Sequence, residues 1–312
     1  MSTQTILVTR ATGTQGIAVL HHLQKNGFQI HALVRDASDD RALAIKKNFG
    51  ANLFEGALDD PGIIRRAAAG CTGLFLNLMP SLTPGFEFDN ELLEARNVLA
   101  EAKAAGIKHV IYSTSLSVGK HEQLPGWDPK STYARAILSK HAIEEEVRNG
   151  GFDTWTIIRP AYFMTNFLGF FGAWIFPELS KEHKFVASFK ADTVLPLIDP
   201  HDIGAFTAAA LSDPKKFGGQ AIEIAGDTIT ATQVVDAISM AAGVPIKAKF
   251  RTEEETEALI KVNPAVSGQV ALKSLINFVN MEDVKSWGVP LRSFEEFLTS
   301  EKALVDSTFG SK

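Results

Sequence analysis

The chain has 312 residues, 45% of them hydrophobic, which is enough for one large α/β domain or for a main α/β domain with a smaller lobe appended. A formal net charge of −5 without basic clusters excludes an electrostatic nucleic-acid surface, and the single Cys71 excludes an internal disulfide and a cysteine-based metal cluster. Residues 1 to 5 are polar, with no signal-peptide pattern, and no run approaches ~20 apolar residues, so a cytoplasmic protein with no membrane segment is expected.

The chain opens on Ile6, Leu7 and Val8, an apolar run that predicts a strand. It feeds Thr9-Arg10-Ala11-Thr12-Gly13-Thr14-Gln15-Gly16, and an amphipathic helix follows over 17–23. A strand, a glycine turn and a helix start together aim free backbone N–H groups and the positive end of a helix dipole at one point, which suits a pyrophosphate. A G-x-x-G-x-x-G spacing would put glycines at 10, 13 and 16, but position 10 is Arg10. Its side chain either distorts the turn or sets a cation beside the phosphates.

Gln29 to Val34 predicts the second strand and ends at Arg35, the position that reads the adenosine ribose. An arginine there suits a 2′-phosphate, so NADP(H) is expected over NAD(H). A helix over 42–48 ending at Gly50, a strand over 51–55 and a helix over 61–69 follow, the last capped by Asp59 and Asp60. Gly73 to Met79 predicts the fourth strand, in which Asn77 needs a polar partner. A long helix is expected from Phe86 to Gly106, with Leu92, Ala95, Val98, Leu99 and Ala102 as its buried stripe. Lys108 to Thr114 predicts the fifth strand, with His109 structural rather than catalytic.

Several further segments, taken with the glycine loop, carry a resemblance. They are Val34-Arg35, the run from Ala105 through Ser113, the helix Ser139-Lys140-His141-Ala142-Ile143-Glu144, and the run from Trp155 through Arg159-Pro160-Ala161-Tyr162-Phe163 to Phe167. Ile198-Asp199-Pro200 with Asp202, and Ile222 to Asp227, continue it. Together they resemble the NmrA-like family of atypical short-chain dehydrogenases, related to the isoflavone reductase group, over about residues 5 to 245. The fold then expected is α/β, a Rossmann-type doubly wound parallel sheet with a smaller C-terminal α/β substrate lobe. Residues 1–155 would form the NADP(H)-binding domain, and 156–312 the substrate lobe, partly interleaved with the Rossmann sheet.

The resemblance implies roles residue by residue. Arg10, Ala11, Thr12, Gly13, Thr14, Gln15 and Gly16 would wrap the pyrophosphate, Arg35 the 2′-phosphate, and Leu58 and Asp59 the adenine. Asn77, Leu78 and Met79 would meet the nicotinamide ribose, and Pro160, Ala161, Tyr162 and Phe163 the nicotinamide and substrate side. Lys140 would contact the nicotinamide ribose and serve as general acid or base. A typical short-chain dehydrogenase places Tyr four residues before this Lys, where one helical turn puts both on one face; here that position is Ala136. Tyr133, seven residues before Lys140, is the alternative proton donor, and Tyr162 a second one.

The aromatic run Phe163, Phe167, Phe170, Phe171, Trp174 and Phe176 is too dense for an ordinary surface and reads as core, pocket wall or lid, with pocket or lid favoured. A substrate pocket of Tyr162, Phe163, Asn166, Phe167 and Trp174 follows. Towards the C-terminus, helices are expected over 202–211, 230–242 with Thr230 as N-cap, 253–260, 271–280 and 293–297 with a Ser293/Glu296 capping box, and a strand over 221–225. No metal-ligand spacing and no Gly-x-Ser-x-Gly elbow occurs. The function expected is NADPH-dependent reduction of a small apolar or aromatic molecule, as in specialised secondary metabolism. The alternative is a non-enzymatic NADP(H) sensor, cytoplasmic or nuclear, that binds a regulatory partner protein.

Overall fold

The computed structural model describes residues 4–80, 88–263 and 266–310. Its contacts group into two compact units. The first comprises Met1–Gly119, Ala136–Arg159 and Ile203–Ile222, and the second Lys120–Arg135, Pro160–Asp202 and Glu223–Lys312.

The first unit is built on a seven-stranded sheet. Its strands are β1 (Thr5–Val8), β2 (Gln29–Val34), β3 (Asn52–Glu55), β4 (Gly73–Leu76), β5 (His109–Ser113) and β6 (Thr154–Pro160), together with β10 (Gln220–Ile224). They lie in the order β3, β2, β1, β4, β5, β6, β10, and the ladders from β3 through β6 are parallel. The apolar runs are continuous because helices cover both faces of such a sheet; Ile6, Leu7, Val8, Leu74, Phe75 and Leu76 are all fully buried. The strand order reverses between β1 and β4. In sheets of this kind a ligand binds at that reversal, beyond the carboxyl ends of the strands.

Local signals explain the element ends. The helix Asp40–Phe49 stops at Gly50, which takes the left-handed conformation. The helix Pro61–Ala68 begins at Asp60, whose carboxylate accepts from the backbone N–H of Gly62 and Ile63. Asp60 alone is the cap, contrary to the expectation that Asp59 shares the role. β4 ends three residues before Met79. Of the long helix expected from Phe86, Asp89–Ala104 is observed, and Phe86 and Glu87 lie outside the described residues.

The second unit carries two small sheets. One has the order β11 (Asp227–Thr230), β9 (Val194–Ile198), β7 (Tyr162–Phe163), and the other pairs β12 (Lys247–Phe250) with β8 (Lys184–Ala187). Thr230 and Ser293 form the expected capping boxes with Gln233 and Glu296. The single helix expected over 271–280 is instead Ser267–Leu272 followed by a 3-10 turn, Leu275–Phe278. The buried residues Leu272, Leu275 and Phe278 recur every third position, a spacing that both helix types satisfy. Asn280 ends the run because its side chain accepts from Glu282 N–H and starts the next helix, Met281–Ser286.

An aromatic stack fills the second unit. Phe167 lies parallel to Phe176 at 5.6 Å and edge-on to Phe294 at 5.6 Å, and Phe176 meets Phe185 at 4.8 Å. Phe167 and Phe176 are therefore core. Phe170 and Trp174, one turn apart on the helix Gly169–Ile175, are 73% and 49% exposed. The density of the aromatic run is thus divided between core and surface, which corrects the expectation that it is too dense for a surface.

Candidate functional site

The loop after β1 lies at the reversal of the sheet. Gly13 is the N-cap of the helix Thr14–Lys25 and offers no side-chain cap, so the first-turn N–H groups are left to another acceptor. Its own N–H donates to Arg10 O at 3.0 Å and closes the turn. A Cβ on Gly16 would lie 2.4 Å from Arg10 O and 2.7 Å from the Ala11 backbone, so glycine is what lets the helix approach the loop. Ala11 is fully buried beside it.

Arg10 takes φ 49°, the left-handed region that a glycine would occupy freely. The turn is therefore kept and the arginine absorbs the strain. Its Nη2 donates to Met79 O at 3.0 Å and lies 3.7 Å from Glu94 Oε2. Burial lowers its pKa, the Glu94 charge works against that, and the like charge of Arg35 adds to it. Glu94 is pushed up by burial, with Arg10 and Arg35 opposing. Arg35 is exposed at the end of β2, and Asp59, exposed after β3, acts electrostatically on Glu94. Leu58 is buried at the same strand end.

Beyond β1, β4 and β5 a hydrogen-bond chain fixes the strand ends. Thr9 Oγ1 donates to Asn77 O at 2.9 Å and accepts from Asn77 N at 2.8 Å. Gln15 Nε2 reaches Asn77 Oδ1 at 3.5 Å, and Ser113 Oγ donates to Gln15 Oε1 at 2.6 Å. Asn77 thus has the partner its place in an apolar run requires, and Gln15 ties the glycine loop to β4 and β5. Leu78 is buried next to it, and Met79 supplies the carbonyl that Arg10 holds.

Lys140 lies on the helix Thr132–Asn149, largely buried, with Nζ donating to Glu91 Oε1 at 2.8 Å. Glu91 is fully buried, and Ser139 Oγ donates to its other oxygen at 3.0 Å. Lys140 is therefore a held cation rather than a solvated surface lysine. Glu91 was not read from the sequence, although the signal is there. Positions 91, 95, 98 and 102 share one helical face, so Glu91 stands on the buried stripe of Ala95, Val98 and Ala102. A carboxylate on such a stripe must have a cation or donors.

Tyr133 falls in the first turn of the same helix, and at seven residues' separation its Cα is about 10 Å along the axis from that of Lys140. The one-turn tyrosine–lysine pair is replaced here by Ala136 and the Lys140–Glu91 pair. Glu144, also fully buried, accepts two bonds from Arg159 at 3.0 and 2.6 Å and one from Thr114 Oγ1 at 2.9 Å. That fork fixes the end of β6. His109 is structural: burial lowers its pKa to about 4, and Nε2 pairs with Thr156 Oγ1 at 3.0 Å. Burial also raises the Cys71 thiol to about 12, so it is no nucleophile.

In the second unit, Ala161 N–H donates to Ile224 O at 2.9 Å and carries the chain from Pro160 into β7. Tyr162 and Phe163 are half-buried, as is Asn166, and the Tyr162 ring meets Phe167 edge-on at 5.6 Å. Burial drives the Tyr162 phenol well above its ordinary range, with Asn166 opposing. Phe167 is buried in the core, so of the aromatic rings expected in the substrate pocket it is Tyr162, Phe163 and Trp174 that present surface. Among the described residues, no group of three or more His, Cys, Asp or Glu is placed to hold a metal ion, and no helix is long and apolar enough to cross a membrane.

Comparisons with known proteins follow the same outline. The sequence matches the NmrA-like family profile over residues 2–298. It is 27% identical to an NAD(P)H azoreductase of Xenophilus azovorans, covering 96% of this chain and 98% of that protein. Its fold is similar to that of NmrA, a negative transcriptional regulator crystallised with NADP, at TM-score 0.76, 20% identity, and 100% and 99% coverage. It is also similar to an NADPH-dependent quinone oxidoreductase of Escherichia coli crystallised with NADPH, at TM-score 0.73, 21% identity, and 95% and 99% coverage.

Proposed function

The chain belongs to the NmrA-like family, and we propose that it is an NADP(H)-dependent oxidoreductase acting on a small apolar or aromatic acceptor. The observation that carries this reading is the uncapped helix start at Gly13, set at the reversal of the sheet order with Arg35 at the end of β2. The residues fit the dinucleotide. The loop N–H groups suit a pyrophosphate, the space a Gly16 Cβ would fill is taken by the loop backbone, and Arg35 suits a 2′-phosphate. Leu58 and Asp59 would border the adenine, and Asn77, Leu78 and Met79 the nicotinamide ribose.

When bound, the nicotinamide supplies the hydride, and one proton must reach the acceptor for the reduction to balance. Lys140 is the group we assign to the ribose and to the developing negative charge. Its ammonium is held by Glu91, so it is oriented before substrate arrives. Tyr133 is the residue we assign as proton donor, in place of the tyrosine that Ala136 lacks. In the second unit, Pro160, Ala161, Tyr162, Phe163, Asn166 and the exposed Trp174 are the candidates for nicotinamide and substrate contact, and the aromatic rings suit a flat acceptor. The azo and quinone chemistry in the relatives' names agrees with that class of acceptor. A role in secondary metabolism belongs to the same reading.

A second reading, an NADP(H) sensor with a protein partner, is favoured by one observation: the tyrosine position of the usual pair is Ala136. Calorimetric titration with NADPH, NADP+ and NADH, followed by NADPH oxidation with quinone and azo acceptors, separates the two. Micromolar NADPH binding with turnover supports the enzyme. Equal NADPH and NADP+ affinity without turnover on any acceptor supports the sensor, and binding of none overturns both.

A further inference from the structure

Arg10 is more than a tolerated replacement for glycine. Its backbone sits in the left-handed region, and its guanidinium, rather than turning to solvent, is drawn in over the loop. There it is only half satisfied. Nη2 donates to Met79 O at 3.0 Å, but the nearest approach to Glu94 is 3.7 Å, an ion pair too long for a hydrogen bond. Arg10 Nε and Glu94 Oε2 are both buried with no hydrogen-bond partner among the described residues. Arg35 adds a second positive charge close enough to act on the first.

Two guanidinium charges thus act on one carboxylate, Glu94, which lies 3.7 Å from Arg10 and leaves its Nε unpaired among the described residues. A buried donor left unpaired is costly, and a buried charge more so. The group that would complete the set is an oxyanion with several acceptors, because a guanidinium binds phosphate through paired N–H bonds. Among the described residues a second carboxylate is not placed to do this, since Asp59 is exposed, Glu91 pairs with Lys140, and Glu94 comes no nearer than 3.7 Å.

We propose that Arg10 is a second reader of the cofactor's 2′-phosphate, sharing it with Arg35, and that Glu94 is the counter-ion that holds the guanidinium when no phosphate is present. The assignment rests on the NADP(H) reading above and adds a specificity-determining residue to it. The phosphate chemistry has two sources in one dinucleotide, the 2′-phosphate and the pyrophosphate. The two differ in what they predict for NADH, which carries only the pyrophosphate.

The test is the dissociation constant of NADPH, NADH and 2′-AMP for the full chain and for Arg10→Gly, with Arg10→Lys as a second variant. Glycine suits the left-handed backbone, so Arg10→Gly keeps the turn, and circular dichroism confirms that each variant is folded. Arg10→Gly should weaken NADPH and 2′-AMP by roughly 10- to 100-fold and NADH by less than about 3-fold, the loss expected for charge-assisted hydrogen bonds. Arg10→Lys should recover part of the loss, and Glu94→Gln should tighten NADPH several-fold by releasing Arg10. Equal weakening of NADPH and NADH would assign Arg10 to the pyrophosphate and overturn the proposal, as would no change in either. Wild-type protein that binds neither dinucleotide would overturn the NADP(H) reading itself, a result separable from the other two.

Discussion

At the carboxyl ends of β1, β4 and β5 the first unit sets Thr9, Gln15, Asn77 and Ser113 into one chain of hydrogen bonds, with buried ion pairs Lys140–Glu91 and Arg159–Glu144 in the same unit. The second unit instead fills its interior with Phe167, Phe176, Phe185, Phe294 and Phe297, and leaves Phe170 and Trp174 at its surface. Polar networks fix position, because each member has one satisfied geometry. Aromatic packing contributes buried area and tolerates a change of shape at modest cost. The contrast is between a unit whose interior is fixed by directional bonds and one whose interior is fixed by packing.

The comparison breaks most visibly by truncating the aromatic core. Phe167→Ala should lower stability by about 3–5 kcal/mol, read by chemical denaturation, while leaving NADPH affinity in the folded protein within about twofold. A large loss of affinity in folded protein would show that the core also positions the cofactor. Next in size is Glu91→Ala, which strands the Lys140 ammonium and should cost about 3 kcal/mol. Glu91→Gln keeps the shape and a hydrogen-bond acceptor, so it should cost less stability but still lower kcat. If kcat were unchanged in Glu91→Gln, the orienting role of the pair would fall.

Asp202 sharpens the contrast from the other side, because it is a polar cluster within the aromatic unit. Burial first, and then the charge of Asp199, raises its pKa to about 8, and Arg292 opposes the shift. A carboxyl that holds its proton more tightly folded than unfolded gains stability from staying protonated, so stability should fall as pH rises from about 4 towards 8. Asp202→Asn should flatten that slope and raise stability at pH 8 by roughly 2 kcal/mol, measured as unfolding free energy against pH. The smallest effect on the fold belongs to Trp174→Ser, within about 0.5 kcal/mol. With an aromatic acceptor its KM should nonetheless rise several-fold, and an unchanged KM would remove Trp174 from the substrate side.

Much of the first unit was legible because its signals are local. The apolar run before Gly13, Arg35 after β2 and Asp60 before Pro61 each report their own structure within a few residues. The Thr230 and Ser293 capping boxes were legible for the same reason. The partners were not. Glu94 is brought to Arg10 in the loop after β1, and Glu91 to Lys140 on another helix, by elements far apart in sequence. β7, β8 and β11 have two to four residues each, too few to show a period, and the 3-10 turn at Leu275–Phe278 hides in a spacing that an α-helix also accepts.

The placement of β10 bears on how the chain is made. The outer strand beside β6 is supplied by residues 220–224, while β6 itself ends at Pro160. On the ribosome β6 is therefore complete some sixty residues before its neighbour exists. At roughly 5–20 residues per second that is an interval of about 3–12 s. During it the β6 edge presents unpaired backbone groups of the kind that recruit a foreign strand. A synthesis pause, or a chain cut short before Gln220, would prolong that exposure, which falls midway through translation, once β1 to β6 have been made.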